Sequence, residues 1–150
     1  MKVRAVLCTI VLLAGLAGAD PFSGTWVLNL AKSKLPPPPP KSQTSYIKAD
    51  SKRIRIRELV INDDGKQMSI TVDAKFDGKD YPIVGSPFVD TIAYQRVDSH
   101  TLTGIAKRAG QIVTTEKATV SADGKTLTGF YSGTDLNGKQ VTGVAVFEKQ

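Results

Sequence analysis

The sequence predicts an all-β chain, an antiparallel up-and-down β-barrel of about ten strands, on three observations. One tripeptide pattern recurs, as Asp64-Gly65-Lys66, Asp77-Gly78-Lys79, Asp123-Gly124-Lys125 and Asn137-Gly138-Lys139. Asp-Gly and Asn-Gly supply the positive φ angles of two-residue hairpins, so each marks a reversal between neighbouring strands. Between these marks apolar residues recur at every second position, most clearly at Met68, Ile70, Val72, Ala74 and Phe76, which places them on one strand face. No stretch carries the 3.6-residue period of an ordinary amphipathic helix.

Taken in order, the first 19 residues stand apart. Lys2 and Arg4 precede an apolar run over 5–16, and Ala17-Gly18-Ala19 precedes Asp20. A basic start, a short apolar middle and an Ala-x-Ala exit make a secretory signal peptide. The run is shorter than the ~20 residues a membrane-spanning helix needs, and no other stretch approaches that length. The expected product is an exported protein, periplasmic or secreted, with one domain over residues 20–150. Its strands are expected at 25–30, 44–49, 53–61, 68–76, 81–84, 89–97, 101–108, 111–120, 126–133 and 140–148. Weaker turns are expected at Asp98-Ser99-His100 and Ala109-Gly110-Gln111, and a bend at Gly85-Ser86-Pro87. Five consecutive prolines, 36–40, lie between Lys34 and Lys41. Such a run takes polyproline II geometry, about 3.1 Å per residue, and blocks strand pairing, so it reads as a stiff connector over one end of the barrel.

Strands joined by tight turns are antiparallel neighbours, and a ten-strand meander left open would expose two edges. Closure into a barrel removes them. A β-sandwich is the alternative architecture, but it generally needs longer connections between its sheets.

Composition excludes several kinds of chemistry. The chain of 150 residues carries 20 Lys and Arg against 14 Asp and Glu; without Lys2 and Arg4 the balance is 18 to 14, a net charge of +4. The only local basic cluster is Arg53, Arg55 and Arg57, whose alternation with Ile54 and Ile56 makes it an outer strand face. Stacking aromatics are not interleaved with it, so no nucleic-acid groove is expected. The single cysteine, Cys8, falls in the leader, so the domain folds without disulfides. His100 is the only histidine and sits in a polar turn, so neither a metal set nor a catalytic triad is expected. No catalytic residue and no cofactor are assigned, and the chain is expected to be a monomer and not an enzyme.

The two ends of the domain carry a resemblance. Phe22-Ser23-Gly24-Thr25-Trp26-Val27-Leu28 resembles the first strand of the lipocalin and fatty-acid-binding-protein superfamily, with its Gly-x-Trp signature. Val146-Phe147-Glu148-Lys149 resembles the closing strand of fatty-acid-binding proteins. The chain is also similar to small exported bacterial lipocalin-like proteins. The resemblance implies a meander barrel, with Trp26 as an apolar plug at one end and Gly24 admitting a close approach. It departs from fatty-acid-binding proteins at two places. The interval after the first strand is too short and proline-rich for their two lid helices. Their Arg and Tyr that grip a fatty-acid carboxylate fall at Ala145 and Phe147 here.

The remaining functional candidate is a lumen. Gly104, Ala106, Gly129, Gly143 and Ala145 leave space if they face inward, bordered by Met68, Ile70, Val72, Phe76, Tyr94, Phe130 and Phe147. Phe130 and Tyr131 point to opposite faces, so only one of them can line it. Mostly apolar walls with a few polar groups suit a small hydrophobic ligand held without covalent chemistry. The alternative is an envelope or extracellular protein-interaction module that uses the outer surface or the proline connector.

Overall fold

The computed structural model describes residues 18–150. Most of the leader segment therefore lies outside the described residues. Ten strands follow one another: β1 (Gly24–Leu28), β2 (Ser42–Ala49), β3 (Arg53–Ile61), β4 (Gln67–Lys75), β5 (Tyr81–Val84), β6 (Thr91–Asp98), β7 (Thr101–Arg108), β8 (Gln111–Val120), β9 (Thr126–Thr134) and β10 (Gln140–Lys149). They form one closed barrel in which every strand pairs antiparallel with its sequence neighbours and β10 pairs with β1. Closure excludes the sandwich. The described residues contain no helix. The chain thus adopts the closed meander that the resemblance implies.

The turns differ in detail from the two-residue hairpins expected. At Gly65, Gly124 and Gly138 the amide donates to the carbonyl three residues earlier, at 3.0, 2.8 and 3.0 Å, and φ is positive. The Asp side chain of the turn then caps the following Lys, as in Asp64 Oδ1 accepting from the Lys66 amide at 3.0 Å. These are longer turns closed by a left-handed glycine, a geometry that Asp-Gly also serves. The tight two-residue hairpin instead falls at Ala109-Gly110, both at positive φ, between the paired Arg108 and Gln111. Asp77-Gly78 lies in the longer connection between the paired strands β4 and β5, where Asp77 bridges across to Gln95 of β6.

The first strand is also shorter than expected. After Leu28 the chain loops outward, leaving Leu30 42% exposed, and returns where Lys34 pairs with Val144 of β10. Ser33 ties the excursion down, its Oγ donating to the Asn29 carbonyl at 2.7 Å and accepting from the Val146 amide at 2.9 Å. The prolines then carry the chain from β10 to β2, and Leu35 packs on the core. The run bends at Pro37 and Pro38, so it is not a straight rod.

One end of the barrel is plugged. Trp26 is fully buried and its Nε1 donates to the Phe22 carbonyl at 2.8 Å. The Arg96 guanidinium lies 4.4 Å from the Phe76 ring centre and 5.5 Å from that of Phe22, and bonds Asp20 at 2.7 Å. Lys149 stands 5.0 Å from the Trp26 ring, across Gly24, whose missing Cβ makes the room. Trp26 thus lies in the plug, and Gly24 admits the close approach of the Lys149 side chain. The outer face behaves as the arginine alternation predicts: Arg53 and Arg55 both reach Asp73, at 2.7 and 3.3 Å.

Candidate functional site

Strand alternation decides which side chains enter the barrel, and pairing lines them up in layers. One layer runs Ser45, Glu58, Ile70 across β2–β4, and another runs Tyr94, Gly104, Glu116, Tyr131, Gly143 across β6–β10. The barrel interior is not packed solid. Two hollows of about 280 and 260 Å³ share Ile56, Glu58, Tyr94 and Glu116 as common walls. The first runs down to Phe22, Leu102 and Phe147, and the second up to Ser86, Phe88 and Val89.

The residues expected at the lumen divide into three groups. Ile70, Val72, Tyr94 and Phe147 line these hollows. Met68 shares the inward face of β4, opposite Val60, but borders neither hollow, and Phe76 is spent on Arg96 at the plugged end. Phe130 borders the first hollow, but its side chain points out of the barrel and is 53% exposed. Its neighbour Tyr131 takes the lumen, because pairing with Gly143 puts that ring over a residue with no side chain. The small residues do face inward, yet two of the three glycines receive neighbours instead of leaving space. Tyr131 fills the room at Gly143, while Glu116 and Tyr94 fill that at Gly104. Only Gly129 opens onto vacant volume.

The residues that sequence reasoning missed are the two carboxyls. Glu58 and Glu116 are enclosed by the barrel yet keep some accessible surface, because they border the hollows. Burial, reinforced by repulsion from Glu116, pushes Glu58 up to about 7. Burial likewise raises Glu116, against the opposing pull of the Tyr94 hydroxyl. The Tyr94 phenol is held well above its usual value, by burial first and then by Glu116 and Glu58. The donors near Glu58 are neutral: Ser45 Oγ lies 3.4 Å from Oε1, and Gln43 is beside it. The sequence did hold a signal. Glu58 interrupts the apolar alternation Ile54, Ile56, Val60, and Glu116 stands two residues from Ala118 on the face that ends at Val120.

A larger hollow, about 720 Å³, lies outside the barrel over Tyr46, Arg55, Thr71 and Val84. It is an open groove on outward-facing side chains, where a small molecule would keep much of its surface in water. The luminal hollows surround an occupant on more sides, with walls contributed by several strands, so the lumen is the stronger small-molecule site.

No family model matches the chain, and no curated protein does. Among solved structures, apocrustacyanin C2 aligns with 87% of this chain at 13% identity and a TM-score of 0.47. The chain spans 62% of the length of that structure.

Proposed function

We propose that this protein is an exported carrier that binds a small, mostly apolar molecule non-covalently within its barrel. The observation behind the proposal is the pair of hollows sharing one set of walls, with Ile56, Ile70, Val72, Leu102 and Phe147 supplying apolar surface. Burial of apolar area contributes about 25 cal/mol per Å², so a lumen of this lining favours a ligand with a hydrocarbon body. Export rests on the leader-like residues 1–19. The reading requires no covalent step and no bound cofactor.

Native mass spectrometry of the protein, purified gently from cells that express it with its leader, tests this. The expected result is a reproducible added mass that disappears on denaturation. A bare mass, with no shift on adding medium-chain alcohols or amines, would overturn the carrier reading. N-terminal sequencing of the same material tests export, with Asp20 as the expected first residue.

A further inference from the structure

The charge of the lumen runs against that of the chain. The sequence carries a formal net charge of +6, yet the only charged side chains lining either hollow are Glu58 and Glu116. No Lys, Arg or His borders these hollows. The cations nearest in sequence are otherwise engaged or turned out: Arg57 and Lys117 project from the outer face, and Arg96 is locked to Asp20 at the plugged end. Among the described residues, the side-chain hydrogen bond to Glu58 comes from the Ser45 hydroxyl and not from a backbone amide. Around Glu58 stand Ser45 and Gln43 of β2, Ile70 of β4, Tyr94 of β6, Glu116 of β8 and Tyr131 of β9. Within the two hollows the groups around Glu116 are Tyr94, Glu58, Tyr131 and the bare backbone of Gly104, while a separate, outward-opening hollow that Glu116 also borders carries Lys34 and Lys117. Two carboxyls thus face the luminal hollows with hydroxyls and one amide for company.

Buried carboxylates need a partner, and a low-dielectric site penalises two anions without one. An occupant with an apolar body and a protonated amine supplies what the site lacks. The body replaces vacancy against the apolar walls, and the ammonium sits between the carboxyls and donates to both. An anionic head group would be repelled by the same pair.

We infer that the ligand of this lumen is a small cationic amphiphile, an alkyl or aryl amine whose ammonium group is held by Glu58 and Glu116. This inference rests on the carrier reading and narrows it to one ligand chemistry. Binding couples to protonation with a fixed sign. The amine is charged throughout the range below its own pKa, while Glu58 ionises as pH rises through about 7 and burial also raises Glu116, so amine affinity rises with pH across that window.

Isothermal titration calorimetry with n-octylammonium, n-octanol and n-octanoate separates the two readings, since all three share one hydrocarbon body. At pH 8.5 the ammonium is expected to bind at least tenfold tighter than the alcohol, and the carboxylate weakest. At pH 5.5 the preference for ammonium over alcohol should fall at least fivefold. In the Glu58→Gln/Glu116→Gln variant the ammonium-to-alcohol ratio at pH 8.5 should approach one. If the alcohol binds as tightly as the ammonium in the unaltered protein, or the preference is flat with pH, the amine inference is overturned and the carrier reading stands. If none of the three binds, both are overturned. The pH series on the unaltered protein decides the matter should the double variant fail to fold.

Discussion

Glu58 shows what burying a single carboxyl costs a fold. Above about pH 4.5 an unfolded chain releases this proton, while the folded barrel keeps it until about pH 7. The folded state then binds more protons than the unfolded one, so stability falls as pH rises through that window and levels off above it. The shift corresponds to a loss on the order of 1–3 kcal/mol, the lower figures allowing for water in the hollow. Glu58→Gln should flatten the profile: its urea midpoint should change less between pH 5 and 8 than that of the unaltered protein. The turn aspartates act elsewhere. Backbone amides hold Asp64 and Asp98 below their ordinary value, so what they contribute is lost only as pH falls through about 4. Arg96 is the second expensive residue. Its guanidinium and the Asp20 carboxyl are only 16% and 10% exposed. Removing the acid alone, as Asp20→Ala, leaves a buried cation with its aromatic neighbours and is expected to destabilise by about 2–4 kcal/mol in chemical denaturation.

Elements were more legible than side chains. The period-two alternation made β4 legible, and the Asp-Gly and Asn-Gly turns marked the connections from β3 to β5 and from β8 to β10, because both signals come from local backbone geometry. Local signals also account for the misses. Strand 126–133 offers a large aromatic on each face, and only pairing with β10, where Gly143 makes room for Tyr131, settles which ring turns inward. The acidic pair stayed hidden because a glutamate on a strand is ordinary until the barrel closes around it. Two elements invite measurement. Ala109 sits at φ 48° in the tight β7–β8 turn, a region that costs a residue with a Cβ about 1–2 kcal/mol and that Asn tolerates better. Ala109→Asn should therefore raise stability by about 0.5–1 kcal/mol, read from the urea midpoint. Strand β5 is the weak stave. It is held by two residue pairs on either side, Thr71–Val84 and Val72–Ile83 with β4, and Tyr81–Ile92 and Pro82–Thr91 with β6. Its amides should exchange with deuterium well before those of β3 or β9.

At the scale of the whole molecule, nine of the ten strand contacts join sequence neighbours, and only β1 with β10 joins distant ones. That seam brings the two ends of the domain together, with the Gln150 amide donating to the Thr25 carbonyl at 3.0 Å. Joining residue 150 to residue 20 through about six Gly and Ser residues, and opening the chain at Asn137-Gly138, should therefore preserve the barrel. A β-type circular dichroism spectrum with cooperative melting would confirm it, and loss of that cooperativity would show that the β9–β10 connection is essential. The seam has a further consequence. A meander sealed at one place behaves like a hoop with a single clasp. A protease that cut away 140–149 would free two edges at once, the short one of β1 and the long one of β9. Such edges recruit other strands, so the clipped molecule is driven toward self-association. The last strand thus guards the whole surface of the barrel against its own copies, although it borders only a tenth of it.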